Sequence, residues 1–298
     1  MSDPKMLEQM SRKNGFIAAL DQSGGSTPGA LRQYGVAEDS YSGDAQMFEL
    51  IHEMRVRIMT APPFNGDKVI GAILFERTMD GEAKGTPVPT YLWKERGVVP
   101  FLKVDKGLEA EADGVQMMKP ISGLDALLER AGKLGIFGTK MRSVINLPSK
   151  SGIAANVAQQ FEIGEQICKH GMVPIIEPEV SIKSPDKKGA EAILLEELTR
   201  NLDKLPAGRQ VMLKLTIPTV DNLFEPLTKH PRIVRVVALS GGYTRADSCV
   251  KLAANRGMIA SFSRAFTEGL KRSMSDAEFN AALAQSIDEI YRASSTKS

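Results

Sequence analysis

A lysine inside an apolar run is the first residue here with chemistry to offer. Lys214 follows Val211-Met212-Leu213 and precedes Leu215. Burial and neighbouring cations both disfavour an ammonium, so such a lysine tends toward the free amine that attacks a carbonyl carbon. Other apolar runs also end in charge: at Asp21, at Lys103 with Asp105, at Lys140 with Arg142, and at Glu177 with Glu179. Members of each pair are two residues apart, so on a strand they face one side. One such residue is ordinarily a surface charge. Several runs ending this way together imply a shared interior of cations and carboxylates. Glu177 or Glu179 could neutralise Lys214, and the same carboxylate could exchange protons with it. Lys140 comes early in its run, so it must point inward well below the rim.

Two kinds of loop follow these runs. Ser240-Gly241-Gly242 and, one run later, Ser263-Arg264 offer backbone N–H groups and a guanidinium to an anion. Asp21-Gln22-Ser23-Gly24-Gly25-Ser26 is a second Gly/Ser loop at a run end. Ser-Gly-Gly alone is an ordinary turn; its position beside Arg264 is what raises it above that. Two such loops, with Lys103 and Arg142, suit a substrate bearing two phosphates. Metal chemistry fares worse. His52 sits in a helical pattern, while His170 and His230 precede runs and fall on the opposite face, so no zinc site is expected. Cys168 and Cys249 read as packing residues, and the methionines as core filler.

The elements that must position these groups alternate. Strands are expected at 15–20, 69–75, 98–104, 137–145, 172–177, 211–215, 234–239 and 257–262. Helices are expected at 45–59, 123–134, 153–169, 189–203, 246–255 and 275–293. The segment 21–68 should hold a loop and its helix, and 76–97 a loop and a short helix. The pattern predicts a single α/β domain over 1–298, a (β/α)8 TIM barrel with parallel strands. The rival, an open doubly wound sheet, calls for an early Gly-x-Gly-x-x-Gly turn, which is missing. A net charge of +2 argues against a nucleic-acid or membrane partner. Two cysteines form no disulfide framework, and the start Met1-Ser2-Asp3-Pro4-Lys5 shows no leader, so a cytoplasmic location is expected. Residues 294–298 are polar and expected to fray. Self-association into a homo-oligomer is left open.

The sequence resembles class I fructose-bisphosphate aldolase, in its shorter bacterial branch, over nearly the whole chain. The resemblance is carried by Ala19-Leu20-Asp21-Gln22-Ser23-Gly24-Gly25-Ser26, Ile73-Leu74-Phe75-Glu76, Lys103-Val104-Asp105-Lys106-Gly107, Lys140-Met141-Arg142, Val173-Pro174-Ile175-Ile176-Glu177-Pro178-Glu179, Leu213-Lys214 and Leu239-Ser240-Gly241-Gly242. It implies a glycolytic lyase with no metal or other cofactor. By the family pattern Lys214 forms a Schiff base with the ketone carbon of a sugar bisphosphate. Glu177 shuttles protons, Asp21 contacts the hydroxyl beside the breaking bond, Lys140 is a second interior lysine and Glu179 a supporting carboxylate. Ser240, Gly241 and Arg264 match the phosphate site on the ketone half, with Gly242 and Ser263 further phosphate-binding candidates from the same loops; Ser26, Lys103 and Arg142 match contacts to the other phosphate. The chain departs from vertebrate relatives at Thr27-Pro28-Gly29-Ala30, where they carry basic residues, and it lacks their functional C-terminal tyrosine. Rival functions are a transaldolase or deoxysugar aldolase, needing one phosphate site, and a non-catalytic sugar-phosphate-binding barrel.

Overall fold

The computed structural model describes residues 3–298; Met1 and Ser2, where the segment read as lacking a leader begins, lie outside the described residues. Eight parallel strands follow one another around the sheet in chain order: β1 Phe16–Leu20, β2 Val69–Leu74, β3 Val99–Lys103, β4 Gly138–Ile145, β5 Val173–Val180, β6 Val211–Thr216, β7 Ile233–Leu239 and β8 Met258–Ala260. The Ala19 N–H donates to the Phe262 carbonyl at 3.0 Å, just past β8, and brings the last strand back to the first. This sequential order excludes the doubly wound alternative, whose strand order reverses at a switch point.

Alternate residues of a strand face the barrel axis. The interior cluster includes Ala19, Phe101, Ile175, Met212, Val237 and Ile259. Two residues further along five of these rows stand Asp21, Lys103, Glu177, Lys214 and Ser261. Apolar side chains therefore fill the lower barrel, and the next layer up is polar or charged. Gly138, directly below Lys140 in its row, keeps that floor level. A Cβ there would stand 2.2 Å from the Val173 carbonyl oxygen and 3.0 Å from the Phe101 ring. Phe101 and Phe137 meet edge to face in this layer.

Helix α1 (Pro4–Arg12) plugs the opposite end. Asp3 caps it, accepting from the Lys5 N–H at 2.8 Å, and Pro4 opens it. Met6 and Met10 join the interior cluster, and Gln9 donates to the Ile70 and Gly97 carbonyls. The sequence reading assigns no element to this segment, because too few apolar residues mark the face. The longer helices α2 (Thr27–Tyr34), α3 (Gly43–Thr60), α4 (Leu124–Lys133), α5 (Lys150–Lys169), α6 (Lys187–Lys204), α7 (Arg245–Ala253) and α8 (Asp276–Ser295) bury their apolar faces in a second, larger cluster outside the sheet.

The C-terminal segment is docked, where fraying was expected. Helix α8 runs to Ser295, and the buried Ser294 hydroxyl accepts the Ala260 N–H at 3.0 Å. The Lys297 ammonium donates to the Leu252 and Ala293 carbonyls, and the Ser298 N–H to Ala253. The last carbonyls of α7 and α8 lack intrahelical partners, and this polar tail supplies donors to them.

Candidate active site

The charged layer lies at the carboxyl-terminal ends of the strands, the rim where barrels carry their chemistry. Lys140, Glu177 and Lys214 are only 3, 3 and 4% exposed. Glu177 stands between the two lysines, with Oε2 2.8 Å from Lys140 Nζ and Oε1 3.1 Å from Lys214 Nζ. Lys140 also donates to Asp21 Oδ2 at 3.0 Å. Burial disfavours the Lys140 charge, yet Asp21, Glu177 and Asp105 outweigh it, and the pKa lies above the ordinary lysine value. Burial likewise opposes ionisation of Asp21, but Lys140, Lys214 and Lys103 override it and hold the carboxyl below the usual range. Lys140 is thus an ammonium and Asp21 a carboxylate at neutral pH. Of the two carboxylates expected beside Lys214, Glu177 is the one that meets it. Glu179, two residues nearer the mouth, pairs instead with the half-exposed Arg142. Lys103 Nζ lies 3.0 Å from Asp105 Oδ2 and also donates to the Asp105 carbonyl.

A cavity of about 1010 Å³ opens above this floor. Ser240 and Gly241 after β7 line one side, with Ser263 and Arg264 after β8. Gly241 has φ +63°, and a Cβ there would lie 2.8 Å from Ile182, so both conformation and space require glycine. Gly242 does not line the cavity; it lies beside the Arg264 guanidinium. On the other side the Gly24–Ser26 turn leads into α2, and the Ser26 hydroxyl accepts the Ser23 N–H at 3.1 Å. Gln22 donates to Ser263 Oγ at 2.8 Å and so ties the two loops together. Behind Gln22 lies Arg55, fully buried, which donates to the Gln22 carbonyl and to Thr78 Oγ1.

All the sequence-predicted site residues except Gly242 line this one cavity. Two cations there escaped the sequence reading. Arg32 lies six residues past Ser26 and pairs with Glu38; Lys106 pairs with Glu76 at 2.9 Å. The signal for Arg32 was its helical spacing from the Gly/Ser loop. Lys106 was visible only as the neighbour of Lys103 and Asp105.

None of the three histidines lines the cavity: His170 pairs with Asp125 at 2.8 Å and His230 with Asp203 at 3.1 Å, while burial depresses the His52 pKa. Among the described residues no group of three or more His, Cys, Asp or Glu side chains is arranged to hold a metal ion. Burial, the largest influence on both cysteines, pushes the thiols up to about 11, so neither is a thiolate at neutral pH. No helix among the described residues is long and apolar enough to cross a membrane.

A parallel β/α barrel whose rim gathers lysines and carboxylates beneath anion-suited loops defines an enzyme for a small anionic substrate. The family model of class-I fructose-bisphosphate aldolase matches residues 17–191. A fructose-bisphosphate aldolase class 1 from Synechocystis sp. is 56% identical over 98% of this chain and 97% of its own length. Another, from Porphyromonas gingivalis, is 54% identical over 97% and 98%. Among solved structures, the fructose-bisphosphate aldolase of Plasmodium falciparum, in a ternary complex with TRAP and a small-molecule inhibitor, superposes with a TM-score of 0.75 at 20% identity, covering 98% of this chain and 94% of that one. A Schiff-base-forming fructose-1,6-bisphosphate aldolase gives a TM-score of 0.52 at 13% identity, over 95% and 99%. At those identities the structural likeness shows the fold alone. The chain belongs to the class I fructose-bisphosphate aldolases, a family of lyases.

Proposed function

We propose that this aldolase cleaves fructose 1,6-bisphosphate reversibly to dihydroxyacetone phosphate and glyceraldehyde 3-phosphate, with Lys214 as the nucleophile. The Lys214 amine attacks the C2 ketone, and loss of water leaves a protonated imine. The C4 hydroxyl gives its proton to the Glu177 carboxylate, the C3–C4 bond breaks, and its electron pair moves into the imine to form an enamine. Glyceraldehyde 3-phosphate departs. Protonation of C3 and hydrolysis of the imine release dihydroxyacetone phosphate and restore the amine. The imine is the electron sink, so the chemistry calls for no metal ion.

Glu177 is the proton carrier in this reading. It faces the Lys214 amine at 3.1 Å and can take a proton from it and return one to the departing water. Asp21, held ionised by three lysines, accepts a hydrogen bond from the substrate hydroxyl and orients it. Lys140 lies within 3.0 Å of Asp21 and 2.8 Å of Glu177 and so bridges the two carboxyl groups. Ser240, Gly241, Ser263 and Arg264 would hold the phosphate on the ketone half. Ser26, Lys103 and Arg142, with Arg32 and Lys106 nearby, would hold the other. Binding energy from both phosphates positions the breaking bond.

The observation that most supports this assignment is Glu177 reaching one lysine with each carboxylate oxygen, under a cavity with cations at its mouth. The Lys214→Met variant tests it. Cleavage should fall by roughly four orders of magnitude or more, as when a nucleophile is removed, while calorimetry still detects bisphosphate binding. Cleavage near the parent rate would overturn the assignment.

A further inference from the structure

Between α5 and the sheet lies a polar network in otherwise apolar packing. Ser143, Asn156 and Gln160 are all fully buried. The Gln160 amide oxygen accepts the backbone N–H of Glu177 at 2.8 Å, and its NH2 group donates to Ser143 Oγ. Ser143 in turn donates to the Asn156 side-chain oxygen at 2.7 Å. Asn156 and Gln160 are four apart on α5, so they share the face that packs on β4 and β5. Hydrophobic residues would cost less there, since buried polar groups must be fully paired to break even.

The sheet explains where the network is spent. Registered pairing of β5 with β6 stops at Ile176 with Leu213. The next amide along β5 is that of Glu177, and the Gln160 side chain takes it. Pro178 follows, with no N–H to donate and a fixed φ. Glu177 thus sits where regular pairing with β6 has ended, and a side chain from the covering helix anchors its backbone. Its carboxylate must reach Lys140 and Lys214 at once, so a small rotation of the backbone would lengthen one contact or both.

We propose that Gln160, locked by Ser143 and Asn156, is a positioning residue that sets the Glu177 carboxylate between the two lysines. It acts through the Glu177 backbone and does not touch substrate. The inference rests on Glu177 being the proton carrier. The effect is specific: proton transfer slows, while the phosphate contacts that govern binding are untouched.

The experiment compares Gln160→Met, which keeps the shape and removes the acceptor, with Ser143→Ala, which loosens the Gln160 amide but keeps the acceptor. Gln160→Met should lose up to about 100-fold in kcat, the scale of a displacement of about 1 Å, with KM unchanged. Ser143→Ala should lose less, in the same direction, and it carries the test if Gln160→Met does not fold. Asn255→Ala is the stability control: Asn255 is buried and holds the Asn222 N–H, on a helix-end loop outside the cavity. It should lower the melting temperature and leave kcat intact. Glu177→Gln separates the two claims. If it is active, the proton-carrier reading fails. If it is inactive while Gln160→Met and Ser143→Ala turn over at the parent rate, only the positioning role fails. A kcat loss in Asn255→Ala equal to that in Gln160→Met would also overturn the role, since destabilisation alone would then explain it.

Discussion

Lys140 is the charge that lets two carboxylates share one buried floor. With it gone, the buried Asp21 carboxylate keeps only Lys214 and Lys103 to offset the cost of its burial. Lys140→Met should therefore destabilise the fold by about 3–5 kcal/mol at neutral pH, the range for breaking one side of a buried ion pair. The pH dependence has a definite sign. Asp21 has a folded pKa below its unfolded value of 3.8, so its stabilisation is complete above that pH and is lost as pH falls below it toward the folded value. Lys140, with a raised pKa, contributes fully below 10.5 and loses its share only at higher pH. The stability gap between parent and Lys140→Met should accordingly be wide at pH 7 and narrower at pH 3. Urea unfolding at the two pH values measures it; a gap that widens on acidification would contradict the pairing.

At the scale of elements, four inward rows are apolar low in the barrel and charged one step higher. Phe101 precedes Lys103, Ile175 precedes Glu177, and Met212 precedes Lys214. Such rows are legible in a sequence because period two and an abrupt change of polarity are both one-dimensional signals. The charged floor, its two loops and the order of eight strands were readable for that reason. Groups that act across elements left no such trace. Gln160 reads as one more polar residue on an amphipathic helix, and its partner is a backbone amide on another element. Helix α1 was invisible because Met6, Leu7 and Met10 mark a face only once there is a barrel end to cover. The exposed look of Ser294 and Lys297 misled because their partners are helix-end carbonyls. The close approach at Gly138 is a further three-dimensional fact. Gly138→Ala drives a Cβ into the Val173 carbonyl and should cost about 1–3 kcal/mol by overpacking, read as a lower midpoint in thermal unfolding. A variant as stable as the parent would mean that β4 and β5 lie further apart at this level.

For the whole molecule, the barrel is closed at one end and open at the other. Met10 is fully buried in the plug, so Met10→Ala should cost about 2–5 kcal/mol while leaving kcat and KM for the surviving fold unchanged, because the site is at the far rim. Loss of activity without loss of stability would contradict that separation. At the open end, cations on both sides of the cavity predict a preference for the bisphosphate over fructose 1-phosphate. Arg142→Ala should erode that preference by roughly 10- to 100-fold, the worth of a hydrogen bond to a charged group, read as the ratio of kcat/KM for the two substrates. Equal efficiency in the parent enzyme would favour a one-phosphate aldolase or a transaldolase. The most direct test of the account is chemical capture: incubate the protein with fructose 1,6-bisphosphate, reduce with borohydride, and map the modified peptide by mass. A substrate adduct on Lys214, dependent on sugar and reductant together, is the predicted result. An adduct on Lys140 or Lys103 instead, or turnover with no adduct, would contradict it.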